Sequence, residues 1–126
     1  MPLVRIDLPQ SISAQRGDVI AEVVYQTLVD VMGVPANDRF QVVTQGTARL
    51  HIDPHYLDID RTPEAFLVDI TLNAGRTTEL KQQFYAELVA RLHDQAAVNP
   101  ADVMVVLTEV AKENWSFGNG EAQYVK

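Results

Sequence analysis

The sequence contains no cysteine among its 126 residues. This absence excludes a disulfide scaffold, a thiol nucleophile and thiolate metal ligation. Basic residues are also few, because 10 Lys and Arg stand against 17 Asp and Glu, for a formal net charge of −7. An acidic chain of this kind repels a phosphate backbone, so we expect no nucleic-acid partner.

Long apolar runs are lacking as well. No stretch approaches the ~18 apolar residues that span a bilayer. The first residues, Met1-Pro2-Leu3-Val4-Arg5, do not have the charged-then-apolar order of a signal peptide. Apolar residues still make up 47% of the chain, which is an ordinary value for a globular protein. We therefore expect a single domain over residues 1–126, located in the cytoplasm and without membrane contact.

The sequence repeats itself without gaps after a displacement of 64 residues. The matched positions are Leu3, Val4, Ile6 and Leu8 with Leu67, Val68, Ile70 and Leu72, and Val34, Asp38, Val42 and Thr44 with Val98, Asp102, Val106 and Thr108. The apolar spacing between these two blocks also coincides. The chain is therefore expected to consist of two similar halves, at about 2–45 and 66–109.

Each half has the pattern strand–helix–strand. The β-branched run from Leu3 to Leu8 predicts a strand, and the segment from Phe40 to Thr44 predicts another. Between them, apolar residues at steps of four form one helical stripe: Ile20, Val24, Leu28 and Met32. Ser13 and its counterpart Thr77 are predicted helix N-caps, and Gly33 a helix terminator. A parallel crossover of this kind is nearly always right-handed.

Two such units predict an α/β (α+β) fold, a four-stranded sheet with two helices on one face. The strands are too apolar for the other face of the sheet to be solvated. The alternation does not show which of their apolar residues point away from the helices, and these residues are Leu3, Ile6, Val42, Val43, Val68, Ile70, Val105 and Val106. We expect oligomerisation through that open face.

Two segments lie outside the repeat. The connector at 46–64 contains the apolar pieces Leu50-His51-Ile52 and Tyr56-Leu57-Asp58-Ile59, which favour a short β-ribbon. The tail at 110–126 contains Asn119-Gly120, and this dipeptide is the strongest short-range hairpin signal. We therefore predict a C-terminal hairpin.

Pro2 is a candidate catalytic residue because of its position. Methionine is normally removed before a small second residue, and a free N-terminal proline is a secondary amine. Burial or a nearby cation lowers the pKa of such an amine, which then acts as a base, an acid or an iminium-forming nucleophile. The alternative is an inert proline, whose nitrogen is an ordinary amide if Met1 is retained.

Arg76 and Asp38 are candidate polar partners for a small ligand. Arg76 lies between the third strand and the second helix, where α/β proteins bind anions, and a guanidinium binds a carboxylate bidentately. An exposed loop arginine is the alternative. Asp38 precedes the second strand and is suited to position a water or pair with a charged Pro2. Its repeat counterpart Asp102 favours a simple turn-forming role instead.

The histidines suggest a metal site only weakly. His51 and His55, with Asp58 and Asp60 nearby, are suitable ligands for zinc or manganese. However, Pro54 interrupts any helix, and residues four apart in a ribbon lie ~13 Å from each other. We therefore expect no metal and no cofactor, and we expect His93, on the second helix, to be a surface residue.

Trp115 and Phe117 occupy alternate positions in the tail and therefore share a face if it is extended. They are suited to line a pocket or to cover the core.

The chain resembles the tautomerase superfamily, and within it the malonate semialdehyde decarboxylase group. The segments that carry the resemblance are Pro2-Leu3, Gly33-Val34-Pro35-Ala36-Asn37-Asp38-Arg39-Phe40-Gln41, Trp115-Ser116-Phe117-Gly118 and Ala122-Gln123-Tyr124. The resemblance implies two fused β-α-β units in each chain and a homotrimer. Two positions depart from the group's pattern. Ala74 replaces the first of two loop arginines, and Asn119 replaces an aromatic residue.

The resemblance also implies roles for the candidate residues. Pro2 is the catalytic amine, and Asp38 assists it or its water. Arg76 binds the carboxylate of a small substrate or polarises its carbonyl. Trp115 and Phe117 form an apolar wall that keeps the pocket dry.

We expect keto–enol tautomerisation of a small oxo acid. The alternative within the family is decarboxylation or hydration of a 3-oxo or unsaturated acid such as malonate semialdehyde. A non-catalytic trimeric binding protein is the alternative outside it, and retention of Met1 would favour that.

Overall fold

The computed structural model describes residues 1–47 and 49–125. Its strands are β1 (Pro2–Leu8), β2 (Gln41–Gln45), β3 (Phe66–Asn73) and β4 (Val103–Val110), and its helices are α1 (Ala14–Met32) and α2 (Thr78–Ala96). Short 3-10 helices lie at Tyr56–Asp58, Pro100–Asp102 and Lys112–Asn114. Ala48 of the predicted connector and Lys126 of the predicted tail lie outside the described residues.

The four strands form one sheet in the order β2-β1-β3-β4. Strands β1 and β2 are parallel, as are β3 and β4, while the central pair β1 and β3 is antiparallel. The predicted fold of two β-α-β units is therefore confirmed. Because the central strands run in opposite directions, Pro2 at the start of β1 lies opposite Leu72 near the end of β3. This register places the chain start beside the loop that contains Arg76.

The helix boundaries follow the predicted capping residues. The Ser13 hydroxyl accepts a hydrogen bond from the Arg16 amide over 3.1 Å, and the Thr77 hydroxyl accepts one from the Leu80 amide over the same distance. Gly33 ends α1 with a φ of 72°, a left-handed conformation that costs glycine little. Each side-chain cap stabilises its helix by about 1 kcal/mol.

The hydrophobic core lies between the sheet and the two helices. Alternate residues of β1 point into it, namely Val4, Ile6 and Leu8. They are joined by residues of β3 and by the buried stripe of α2, which are Phe66, Val68, Ile70, Leu72, Phe84, Leu88 and Leu92. Every second side chain of a strand and every third or fourth side chain of a helix face the same layer, and together these side chains fill the core.

The opposite face of the sheet is open and partly apolar, as expected. Met104 and Val106 of β4 are 44% and 45% exposed, and Val42 and Val43 of β2 are each 40% exposed. Of the apolar strand residues whose direction the sequence left open, Ile6, Val68 and Ile70 point into the core.

The expected β-ribbon in the connector is wrong. No strand occurs between Gly46 and Glu64 in the part of this segment that the structure describes. The Arg61 guanidinium donates to the carbonyls of Asp53 and Tyr56, and the Arg61 amide donates to the carbonyl of Pro54. These bonds fold the connector onto itself as a loop, which prevents two extended segments from pairing.

The predicted hairpin over 110–126 is also wrong, although its turn forms. Asn119 and Gly120 have φ values of 60° and 70°, and the Glu121 amide donates to the Gly118 carbonyl. Yet residues 111–125 contain no strand. The Gln123 side chain makes the hydrogen bonds that a paired strand would otherwise make to this part of the backbone. It accepts from the Phe117 amide over 2.9 Å and donates to the Gly118 carbonyl over 2.8 Å.

No helix among the described residues is both long enough and apolar enough to cross a membrane.

Candidate active site

The chain start and Asp38 lie together at one end of the sheet. The α-amino nitrogen of Met1 is 3.4 Å from Oδ2 of Asp38, whose side chain is only 13% exposed. Pro2, the first residue of β1, is buried. Since Met1 precedes it in this structure, the Pro2 nitrogen is an amide. Pro2, which follows Met1, and Asp38 therefore lie at the same end of the sheet.

The Asp38 carboxylate is not needed by the turn in which it lies. The turn is closed by the Asp38 amide, which donates to the Pro35 carbonyl. Oδ1 of Asp38 is buried and has no hydrogen-bond partner among the described residues. A buried carboxylate oxygen without a donor is costly, so it is usually kept for a ligand or water.

Asp102, the repeat counterpart of Asp38, shows the contrast. Its amide closes the same kind of turn, donating to the Asn99 carbonyl. However, its carboxylate accepts hydrogen bonds from both the amide and the hydroxyl of Thr62. Asp102 therefore joins the connector to the start of β4, whereas Oδ1 of Asp38 has no partner among the described residues.

An aromatic cluster forms the wall beside the chain start. Trp115 and Phe117 are stacked with ring centroids 5.5 Å apart and an angle of 12° between the planes. Tyr124 packs edge-on against Phe117 at 5.0 Å, and Phe40 lies 6.3 Å from the same ring. The sequence spacing left open whether Trp115 and Phe117 line a pocket or cover the core. This arrangement is consistent with a pocket wall.

Two neighbouring cavities lie against this cluster. One, of about 220 Å³, is lined by Met1, Asn37, Asp38, Phe40, Phe117 and Tyr124. The other, of about 280 Å³, is lined by Met1, Leu3, Phe40, Trp115, Ser116 and Phe117. Met1, Phe40 and Phe117 line both cavities, so the two lie on either side of the chain start.

Tyr124 brings a hydroxyl to the same region. Its burial, and in smaller part the negative charge of Asp38, raise the pKa of Tyr124 above its ordinary value of 10.0. The phenol therefore stays protonated throughout the neutral range.

Arg76 is linked to the aromatic cluster by hydrogen bonds to Asn73. Its Nη1 donates to the Asn73 carbonyl over 3.0 Å, and the Asn73 side-chain oxygen accepts from the indole N–H of Trp115 over 2.7 Å. Arg76 lines neither cavity among the residues described. Its Nε is buried without a partner, and its Nη2 makes no hydrogen bond among the described residues, so Nη2 is the donor free for a ligand.

The loop before α2 is also held by Glu109 at the end of β4. One carboxylate oxygen accepts from the Gly75 amide over 3.2 Å, and the other lies 2.6 Å from the Lys81 ammonium. The hydrogen bond from Lys81, that from Gly75 and, less strongly, the charge of Arg76 lower the pKa of Glu109. Glu109 is thus ionised beside the arginine.

Sequence reasoning assigned no role to several of these residues. Tyr124 lay in a family-like segment, but nothing in the sequence placed it against Asp38. Asn73 and Glu109 carried no motif, because their importance depends on β3 and β4 ending side by side.

The histidines stay apart from this site. The described residues include no group of three or more His, Asp or Glu side chains arranged to hold a metal ion. His55 pairs with Asp60 at 3.1 Å in the exposed connector. His93 is a surface residue, as predicted, on the exposed side of α2.

A family model described as tautomerase enzyme matches residues 38–118. The probable tautomerase YusQ of Bacillus subtilis (strain 168) is 35% identical over 127 residues, covering 100% of both chains. This chain belongs to the tautomerase superfamily. The resemblance found in its sequence is therefore confirmed, and the family supports an enzymatic function.

Solved structures show the similarity to the decarboxylase group. The crystal structure of FG41 malonate semialdehyde decarboxylase inhibited by 3-bromopropiolate is 37% identical, with a TM-score of 0.90, covering 98% of this chain and 94% of that one. A second malonate semialdehyde decarboxylase is 30% identical with a TM-score of 0.87, covering 97% of this chain and 95% of that one. This tautomerase-superfamily chain is thus similar to decarboxylases over nearly its whole length.

Proposed function

We propose that, after removal of Met1, this chain catalyses keto–enol tautomerisation of a small oxo acid with the amino nitrogen of Pro2. One observation carries the proposal. The amino nitrogen of the chain lies 3.4 Å from a mostly buried carboxylate, that of Asp38, against aromatic-lined cavities. Loss of one residue moves the amino nitrogen by about one Cα step, ~3.8 Å. The new terminus is Pro2, at the start of β1.

The proposed reaction is a proton relay. Neutral Pro2 removes a proton from the carbon next to the substrate carbonyl, and the C–H electron pair moves to form the enolate. The proton then passes from the Pro2 ammonium to the enolate oxygen, which yields the enol and restores the neutral amine. The reverse sequence converts enol to ketone.

The neighbouring residues support this relay in distinct ways. Arg76 holds the substrate carboxylate or the developing enolate oxygen with its free donors. Asp38 stabilises the ammonium form that Pro2 acquires once it has taken the proton. Trp115 and Phe117 exclude water, which strengthens the charge interactions in the pocket.

Decarboxylation or hydration of a 3-oxo or unsaturated acid, such as malonate semialdehyde, is the second candidate. The similarity to two malonate semialdehyde decarboxylases favours it, one of them described together with hydratase activity. In this mechanism Pro2 is cationic or forms an iminium, and Asp38 guides the attacking water. The pH profile separates the candidates, because a neutral base gains rate as pH rises through its pKa and a cationic acid loses rate.

The amino terminus tests both mechanisms. We expect intact-mass measurement of natively produced protein to show that Met1 is absent. Pro2→Ala, which keeps a free amine but replaces the secondary amine by a primary one, should abolish turnover of an enol pyruvate probe. Full retention of Met1 would contradict every proline mechanism and favour a non-catalytic binding protein. Unchanged turnover by Pro2→Ala would contradict the proposed role of the proline.

We also propose that the chain forms a homotrimer through its open sheet face. The exposed apolar residues Val42, Val43, Met104 and Val106 support this, since such a face is usually covered in solution. Light scattering after size exclusion should give three times the mass of 14.0 kDa. A monomer at micromolar concentration would contradict the proposal.

A further inference from the structure

We infer that Glu109 sets the charge preference of the proposed carboxylate site, so that the Arg76 loop selects ligands with one negative charge over ligands with two. The inference rests on the proposed capture of a carboxylate by Arg76. It assigns to Glu109 a role in specificity, distinct from the chemistry proposed for Pro2.

Three charged side chains meet at this loop. Lys81 of α2 and Arg76 supply two positive charges, and Glu109 supplies one negative charge. The Glu109 carboxylate bonds Lys81 at 2.6 Å and the Gly75 amide at 3.2 Å, so it lies against the residue next to Arg76. These three side chains together carry a net charge of one positive unit, and Glu79 in the first turn of α2 adds a negative charge that the variants below leave unchanged.

The two cations are not equivalent. The Lys81 ammonium is paired with Glu109, and both side chains are largely covered, at 25% and 30% exposure. The Arg76 guanidinium bonds only the Asn73 carbonyl among the described residues and has a buried, unpartnered Nε. One guanidinium is thus free to bind one carboxylate, and a second carboxylate on the ligand would meet the charge of Glu109.

This arrangement predicts opposite effects from removing either partner. In Glu109→Gln the amide oxygen still accepts from Gly75, but Lys81 is released and the local charge rises to two. In Lys81→Gln the charge of Glu109 is uncompensated and the local charge falls to zero. The double variant restores a charge of one without the ion pair.

Binding is measured without turnover, using the fluorescence of Trp115, which is the single tryptophan of the chain. The probes are propanoate and malonate, which have the same number of carbons and one or two carboxylates. The protein is the full chain with Met1 removed, as verified by mass. Glu87→Gln is the matched control. This substitution changes the net charge of the protein by the same amount, but at the ion pair of Glu87 with Arg91. Glu87 lies ~15 Å along α2 from Thr77, which is more than the Debye length of about 8 Å, so salt screens its charge from the Arg76 loop.

We expect Glu109→Gln to tighten malonate binding relative to propanoate by roughly two- to five-fold, the range of partly exposed charge pairs. Lys81→Gln should weaken both ligands, malonate more, and the double variant should return to the wild-type preference. Equal preferences in Glu109→Gln and Glu87→Gln would overturn the inference and leave the proposed function intact. A double variant that behaves like Glu109→Gln would also overturn it, because loop geometry and not charge would then decide. Failure of wild-type protein to bind either probe saturably would instead contradict carboxylate capture by Arg76, and with it the inference.

Discussion

The indole N–H of Trp115 donates to the side-chain oxygen of Asn73 over 2.7 Å. The carbonyl of the same asparagine accepts from Arg76. One residue at the end of β3 thus holds both the aromatic wall and the arginine, so we regard Asn73 as a positioning residue.

Asn73→Ala should lower kcat/KM by about two- to ten-fold, because one hydrogen bond is worth about 0.5–1.5 kcal/mol. The acceptor of the Trp115 N–H is lost while the backbone bond to Arg76 remains. In a Trp115→Phe background the same change should have little effect, since the donor is already absent. Kinetics of the four proteins of this double-mutant cycle measure the coupling. An equal loss in both backgrounds would show that the two side chains act independently.

Asp38 and Asp102 hold equivalent positions in the repeat, so alanine substitution of each can be compared for its effect on stability and on activity. Asp102→Ala should destabilise the protein by about 1–3 kcal/mol, because it removes two hydrogen bonds that the buried Asp102 carboxylate accepts from Thr62. Asp38→Ala should cost less stability than Asp102→Ala, since Oδ1 has no partner to lose and Oδ2 loses only its contact with the amino terminus at 3.4 Å. Urea unfolding checks both values. The activities should show the reverse order, and a stability loss of equal size in both variants would contradict a functional role for Asp38.

Tyr124 should titrate above the ordinary pKa of a tyrosine. Burial is the larger cause and the Asp38 charge the smaller one. Asp38→Asn should therefore move the pKa of Tyr124 down, but not fully to its ordinary value. Ultraviolet difference titration against Tyr124→Phe isolates this residue from the other three tyrosines. No movement in Asp38→Asn would show that the carboxylate does not act on the phenol.

Arg76→Ala should raise KM for carboxylate substrates by about 10- to 100-fold, as expected from the loss of a charged hydrogen-bonded pair. Uncharged ketones should be much less affected. Arg39→Ala is the control, because it removes the same positive charge from an arginine that pairs with Glu22 on the surface. Equal losses on both substrate types would refute carboxylate binding by Arg76.

The sequence predicted most of the fold because the repeated signals are local. Ser13, Thr77 and Gly33 act at the helix ends regardless of what packs against them. The tail differs, since Asn119-Gly120 forms its turn but Gln123 and the stacked Trp115 and Phe117 decide where the flanking chain goes. Likewise, no sequence pattern places Asn73 between Arg76 and Trp115, because that arrangement depends on tertiary packing.

The antiparallel pairing of β1 and β3 puts the starts of the two halves at opposite ends of the sheet. A displacement of 64 residues from Pro2 reaches Phe66, which is fully buried and follows Ala65 through an ordinary peptide bond. A head-to-tail gene fusion has one amino terminus for two ancestral copies. Under the proposed mechanism, only one end of the sheet can therefore supply an amine. At the other end, the repeat counterpart Asp102 holds the connector through Thr62, so this aspartate serves the fold and not the proposed proton transfer.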